Sequence, residues 1–136
     1  MHILRSKLKK YPMLYQLEYP LHSSVKILYE RLSTISGLSE WFADDVNINR
    51  QGIYTFTWEG SSQEAELISK KKGEYIRFRW LDSEADEYFE FRIQIDELTS
   101  DVSLIISDFA EDEEDKEDAT NLWDAQIDNL KNIIGS

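Results

Sequence analysis

No cysteine occurs anywhere in the 136-residue chain. Its absence removes disulfides, thiolate nucleophiles and Cys-ligated zinc or iron–sulfur centres at once, and it fits a reducing cytoplasm. Histidine is nearly as scarce. His2 and His22 are the whole supply; they form no pair at metal-ligand spacing, and no G-x-S-x-G nucleophile elbow accompanies them. Proline occurs only at positions 12 and 20 and glycine at five positions. No Pro-rich or Gly/Ser-rich linker and no repeat therefore divides the chain, and its length suits one domain with one core. There is no run of about 18 apolar residues, which excludes a membrane-spanning helix. Ile3-Leu4 and Met13-Leu14 are too short for a signal-peptide core. Positive charge is also in short supply. Fifteen Lys and Arg face 27 Asp and Glu, for a net charge of −12. Such a surface disfavours nucleic acid and anionic membranes as partners and favours solubility and a basic partner. The expected location is the cytoplasm.

What is present is a hydrophobic fraction of 41%, enough for a core, and one dominant amphipathic segment. Ala119, Leu122, Trp123, Gln126, Ile127, Leu130, Ile133 and Ile134 recur at three- and four-residue spacing, which predicts a helix over 119–134 with one apolar face. Gly135 stops it. A helix this one-sided needs a large partner surface, and the middle of the chain supplies strands. Residues 1–12 carry only positive charge and read as a loosely docked basic arm, with a single domain over 13–136. Met13 to Tyr19 is the first strand, ended by Pro20. Ser23 or Ser24 caps a helix through Ser33 with Val25, Leu28, Tyr29 and Leu32 on one face. Ser36-Gly37 breaks it, and Ser36 starts a short second helix carrying Leu38, Trp41 and Phe42.

From Asp45 the period changes to two, with turns short enough for hairpins. The strands are Val46–Asn49, Ile53–Trp58, one around Ala65 and Leu67, Tyr75–Leu81, Tyr88–Ile95 and one through Val102, Leu104 and Ile106. Turns fall at Gln51-Gly52, Gly60-Ser61-Ser62 and Lys70-Lys71-Lys72-Gly73. Asp108 to Asp118 holds eight acidic residues and one lysine. It reads as a solvated link to the last helix, with Glu117-Asp118 suited to that helix's positive end. The expected fold is α+β: a curved antiparallel sheet of six to seven strands around a long C-terminal helix, with two short helices after the first strand.

That order, together with Tyr19-Pro20 ahead of the first helix and the segment Gly37-Leu38-Ser39-Glu40-Trp41-Phe42-Ala43, resembles the helix-grip START and birch-pollen-allergen superfamily. Trp123 early in the last helix and Leu130 after it most resemble the group named after the activator of a heat-shock ATPase. The resemblance covers about residues 13–134. It implies a cavity between the sheet and the last helix, used in many members for lipids, sterols, polyketides or other apolar molecules.

The candidate lining of such a cavity is Trp41, Phe42, Tyr54, Phe56, Trp58, Phe78, Trp80, Phe89, Phe91, Trp123 and Ile127, with Ile76 on the same strand face as Phe78. Taken one at a time, each of these residues is expected to pack the core. Arg77, Arg79 and Arg92 could bind a ligand carboxylate, but their alternation with Ile76, Phe78 and Trp80 favours outer-face pairs with Glu64, Glu66 or Glu90. Asp44-Asp45 and the 108–118 run lack the spacing and glycine of a calcium loop. No catalytic residue, metal or cofactor is assigned. The first functional expectation is non-catalytic binding of a small apolar ligand. The second is a co-chaperone-like protein-interaction module with a filled core, as monomer or homodimer. The third, against which the reading leans, is a cyclase- or hydrolase-like enzyme with a desolvated acid, base or arginine in its pocket.

Overall fold

The structure is a computed structural model that describes residues 12–84 and 86–135. The basic arm, apart from Pro12, and His2 lie outside the described residues. The elements in chain order are β1 (Met13–Leu21), α1 (Val25–Ser33), α2 (Ile35–Trp41), β2 (Asp45–Ile48), β3 (Ile53–Trp58), β4 (Ser61–Lys71), β5 (Tyr75–Trp80), β6 (Phe89–Ile95), β7 (Val102–Ala110) and α3 (Glu113–Ile134). All seven strands form one curved antiparallel sheet in the order β1-β7-β6-β5-β4-β3-β2. The meander from β2 to β7 follows from the short turns. β1 closes onto β7, so the α1–α2 pair must carry the chain from one edge of the sheet to the other. α3 then lies against α2, β1 and β7.

The alternation now has a direction. Tyr54, Phe56, Ile76, Phe78, Trp80, Phe89, Phe91, Leu104 and Ile106 are buried on the inner face, and Trp123, Ile127 and Leu130 of α3 join the same core. The arginines point the other way and bind carboxylates, Arg77 and Arg79 across strands and Arg92 two residues along its own strand. Arg77 meets Glu90 at 2.9 Å, Arg92 meets Glu90 at 3.0 Å and Arg79 meets Glu66 at 2.5 Å. The guanidinium groups of Arg77 and Arg92 also cover the rings of Tyr88 and Tyr75.

Several boundaries differ from the sequence expectation, each for a local reason. β1 runs through Pro20 to Leu21. It is an edge strand hydrogen-bonded on one side only, the place where a residue without an N–H is tolerated. The break between the first two helices is Thr34 rather than Ser36-Gly37. Thr34 is extended, ends α1, and accepts the Gly37 N–H on its own hydroxyl to start α2. Gly37 lies inside α2 because the two helices touch there: a Cβ on it would stand 2.5 Å from the Glu30 carbonyl oxygen and 2.7 Å from Arg31 Cα. Ser61-Ser62 and Lys70-Lys71 belong to β4, which has a bulge between Leu67 and Ser69.

The largest revision concerns the acidic run. Asp108 to Ala110 complete β7, and α3 starts at Glu113, six residues before Ala119. Asp112 caps it by accepting the Asp115 N–H, and Glu113, Glu114 and Asp115 fill its first turn. Negative charge there is favourable because it faces the orphan N–H groups and the positive end of the helix dipole. The run is therefore largely helix, with Glu113, Glu114, Glu117 and Asp118 facing water.

Two substitutions test this packing. Gly37→Ala is expected to lower stability by about 1–3 kcal/mol, because an inserted methyl meets backbone that cannot yield. Trp123→Ala is expected to lower it by about 3–5 kcal/mol, the range for deleting a large buried side chain. Urea unfolding followed by circular dichroism reads both, and unchanged stability of Trp123→Ala would contradict the central place of α3.

Candidate functional site

The site is built around the end of α2. A helix leaves its last carbonyls without intrahelical partners, and α2 ends at Phe42 with helical φ and ψ. The Phe42 carbonyl receives two side-chain donors: Trp58 Nε1 from β3 at 2.6 Å and Gln126 Nε2 from α3 at 2.5 Å. One backbone oxygen thus ties α2, the β3–β4 hairpin and α3 together. The Phe42 ring, 1% exposed, lies 5.1 to 5.9 Å from the rings of Trp41, Phe56, Trp58, Phe89, Phe91 and Trp123.

Outside this knot lies a cleft of about 1010 Å³ between α2, the β3–β4 hairpin and α3. Trp41, Phe42 and Trp58 line it, joined by Leu122, Ala125, Gln126 and Asn129 of α3 and by Ser39, Glu40, Ala43, Asp44, Glu59, Ser61, Ser62 and Gln63. Of the eleven aromatic and apolar residues singled out from the sequence, these three are in the cleft wall. Tyr54, Phe56, Phe78, Trp80, Phe89, Phe91, Trp123 and Ile127 lie deeper. The rings stack or meet edge-on, with Trp80–Phe89 at 4.7 Å, Tyr54–Phe78 at 5.0 Å and Phe91–Trp123 at 5.9 Å, and Ile127 is buried among them. Rings held this closely occupy the interior that a deep pocket would need.

The polar part of the cleft escaped sequence reading. Its one available signal was Gln126, an amide at a position where the helix pattern calls for an apolar residue. The Glu59-Gly60 loop is a two-residue hairpin turn in which both residues have positive φ, 49° and 83°. Asn-Gly or Asp-Gly suits such a turn best, so glutamate here is a costlier choice. The Glu59 N–H is held by Asp44 Oδ2 at 2.7 Å. Glu40 is paired with Arg31 at 3.1 Å on the rim.

A second polar cluster lies under α3. Asp108, 2% exposed, accepts from the Tyr15 hydroxyl at 3.2 Å, Trp123 Nε1 at 3.3 Å and the Phe109 N–H at 2.8 Å. It fastens β1, β7 and α3 and does not line the cleft. Burial and the adjacent Asp108 charge push the Tyr15 hydroxyl well above the ordinary tyrosine range. Burial, with the hydrogen bond to Asp124 at 2.6 Å, does the same for Tyr19. His22 is exposed in the connection before α1. Among the described residues, no three His, Cys, Asp or Glu side chains gather as a metal-holding group, and no helix is long and apolar enough to cross a membrane.

A seven-stranded antiparallel sheet gripping one C-terminal helix, with two short helices between its first and second strands, defines a helix-grip protein. A model of the START-like superfamily domain matches residues 9–136, and the chain belongs to that superfamily. A solution structure from Bacteroides fragilis is 35% identical, with a TM-score of 0.62 and 90% of each chain covered. The Aha1 dimer from Colwellia psychrerythraea shares the fold at 12% identity and a TM-score of 0.73, over 90% of this chain and 96% of that one. A Bacillus halodurans protein does so at 13% identity and a TM-score of 0.70, over 90% and 98%. The comparison with curated proteins finds no match.

Two measurements probe the knot and the buried cluster. Gln126→Leu and Trp58→Phe each remove one donor from the Phe42 carbonyl and should cost about 1 kcal/mol apiece. The double variant strands that acceptor and should lose about 1–3 kcal/mol beyond the sum, which a double-mutant cycle in urea measures. Because the folded state holds Tyr15 protonated above the unfolded pKa of about 10, its contribution is complete below that pH and is lost as pH rises beyond it. Stability should therefore fall in alkali, and less steeply in Tyr15→Phe.

Proposed function

We propose that this chain is a non-catalytic binding protein for a small molecule with an apolar body, taken up in the cleft between the sheet and α3. The observation that carries the reading is the cleft itself. Aromatic rings from α2 and β3 form one wall and α3 the other, at the end of the sheet where the helix grip opens. Membership of the START-like superfamily supports it. The buried aromatics named from the sequence then act as a rigid floor, and the ligand rests on Trp41, Phe42 and Trp58 rather than deep among Phe78, Phe89 and Phe91. A cytoplasmic location belongs to the same proposal.

The filled aromatic interior favours a second reading, that of a protein-interaction module working through its surface, as monomer or homodimer. The Colwellia psychrerythraea relative is a dimer. An enzymatic role has less support: Arg77, Arg79 and Arg92 pair with Glu66 and Glu90 on the outer face of the sheet, as their alternation led one to expect, and none enters the cleft wall.

Native mass spectrometry of the protein as purified from its host, followed by organic extraction, separates the readings. A co-purifying molecule at one per chain, displaced by Trp58→Ala, is the expected result. A bare mass, together with no response of cleft resonances to a fragment library in NMR, would overturn the ligand reading. The same spectrum shows monomer or dimer.

A further inference from the structure

The register of the β3–β4 hairpin carries an amide onto the inner face of the sheet. Gln63 pairs with Phe56, and Ala65 with Tyr54. Cross-strand partners share a face, and Phe56, Tyr54 and Ala65 are buried in the core. Gln63 therefore points inward as well, at a position where the alternation calls for an apolar side chain. It is half-buried and lines the cleft, and its side chain makes no hydrogen bond among the described residues. Ser61, opposite Trp58 in the same register, adds an unpaired hydroxyl to this wall. Asn129 belongs to the α3 wall. It stands one turn beyond Ala125 and Gln126 and two turns beyond Leu122, on the helix ridge that lines the cleft. Its amide also has no partner among the described residues. No lysine, arginine or histidine is in the lining.

An amide both donates and accepts, and so does a hydroxyl. Two unpaired amides on different walls are matched by a ligand group that does both. A phosphate or carboxylate finds no cation in this lining and meets Asp44 and Glu59 instead. An ammonium group only donates, and carboxylates as exposed as Asp44 and Glu59 hold a cation weakly. From these features we infer that the polar half of the cleft selects an uncharged, polyhydroxylated head group of the kind a sugar presents. It is held between Gln63 and Asn129, with the apolar body of the ligand against Trp58 and Leu122. The inference rests on the ligand-binding reading above and adds the chemical class of the head group.

The test uses three probes with one octyl chain and different head groups: octyl glucoside, octyl phosphate and octyltrimethylammonium. Each is titrated, below its micelle-forming concentration, into isotope-labelled protein. NMR follows the side-chain amides of Gln63 and Asn129 and the indole N–H of Trp58. The glucoside is expected to bind about tenfold more tightly than either charged probe, the worth of one or two hydrogen bonds. Gln63→Leu combined with Asn129→Leu should erase that advantage without loss of stability in urea, because neither amide bonds to the rest of the fold. A charged probe that binds as tightly as the glucoside, or a glucoside preference that survives the double substitution, would overturn the head-group selectivity while leaving the cleft a binding site. No shift of these resonances with any of the three would remove the inference and count equally against the proposed function.

Discussion

The rest of the structure depends on where α2 stops. Its final carbonyl, at Phe42, is an acceptor that water cannot reach, so the chain must bring donors to it, and it brings them from two distant places. Trp58 arrives on the β3–β4 hairpin and Gln126 on the last helix. The side chain of the same residue occupies the centre of the aromatic core. One residue thus sets the distance between the sheet and both helices by hydrogen bonding on one side and ring packing on the other. Gly37 makes this possible one turn earlier, because α1 and α2 approach at backbone contact and only a missing side chain permits it.

Filling the interior with rings has a functional consequence. Aromatic side chains contribute large buried areas and prefer offset or edge-on contacts, and here those contacts link the inward-facing rings of β3, β5 and β6. The space left for a ligand is displaced to the open end of the grip, where the wall is part aromatic and part acidic. Buried carboxylates are compensated in two ways. On the outer sheet face, Glu90 is buried beneath Arg77 and Arg92, each of which also lies over a tyrosine ring. Under α3, Asp108 is surrounded by donors from Tyr15, Trp123 and Phe109. Both arrangements satisfy buried carboxylates that would otherwise destabilise the fold.

How much of this was legible follows the range of the interactions. Periodicity is local, so the alternation in Ile53–Trp58, Tyr75–Trp80 and Phe89–Ile95 marked strands, and the spacing of Trp123, Ile127 and Leu130 marked the helix that the sheet grips. Arg77 and Arg79 alternating with Ile76, Phe78 and Trp80 already placed the arginines outside. Capping was read less well. Thr34 serves as the end of one helix and the start of the next, a double use that one residue's identity does not reveal. The acidic run hid the first turns of α3, because a block of like charge looks solvated until its position at a helix N-terminus turns it into a favourable feature.

The sequence by itself determined the class of fold and marked the aromatic residues from which most of the core is built, because both rest on repeating patterns within a few residues of one another; which face of the Tyr54–Trp58 strand turns inward was left to the structure. Only the tertiary structure decided which aromatics form a cleft wall and which a solid floor. It alone showed that Asp108 is buried among donors, and that the amide of Gln126 holds one carbonyl and leaves one acceptor over. Those outcomes depend on contacts between residues as far apart as Phe42 and Gln126, or Tyr15 and Asp108, and no local spacing encodes the distance between them.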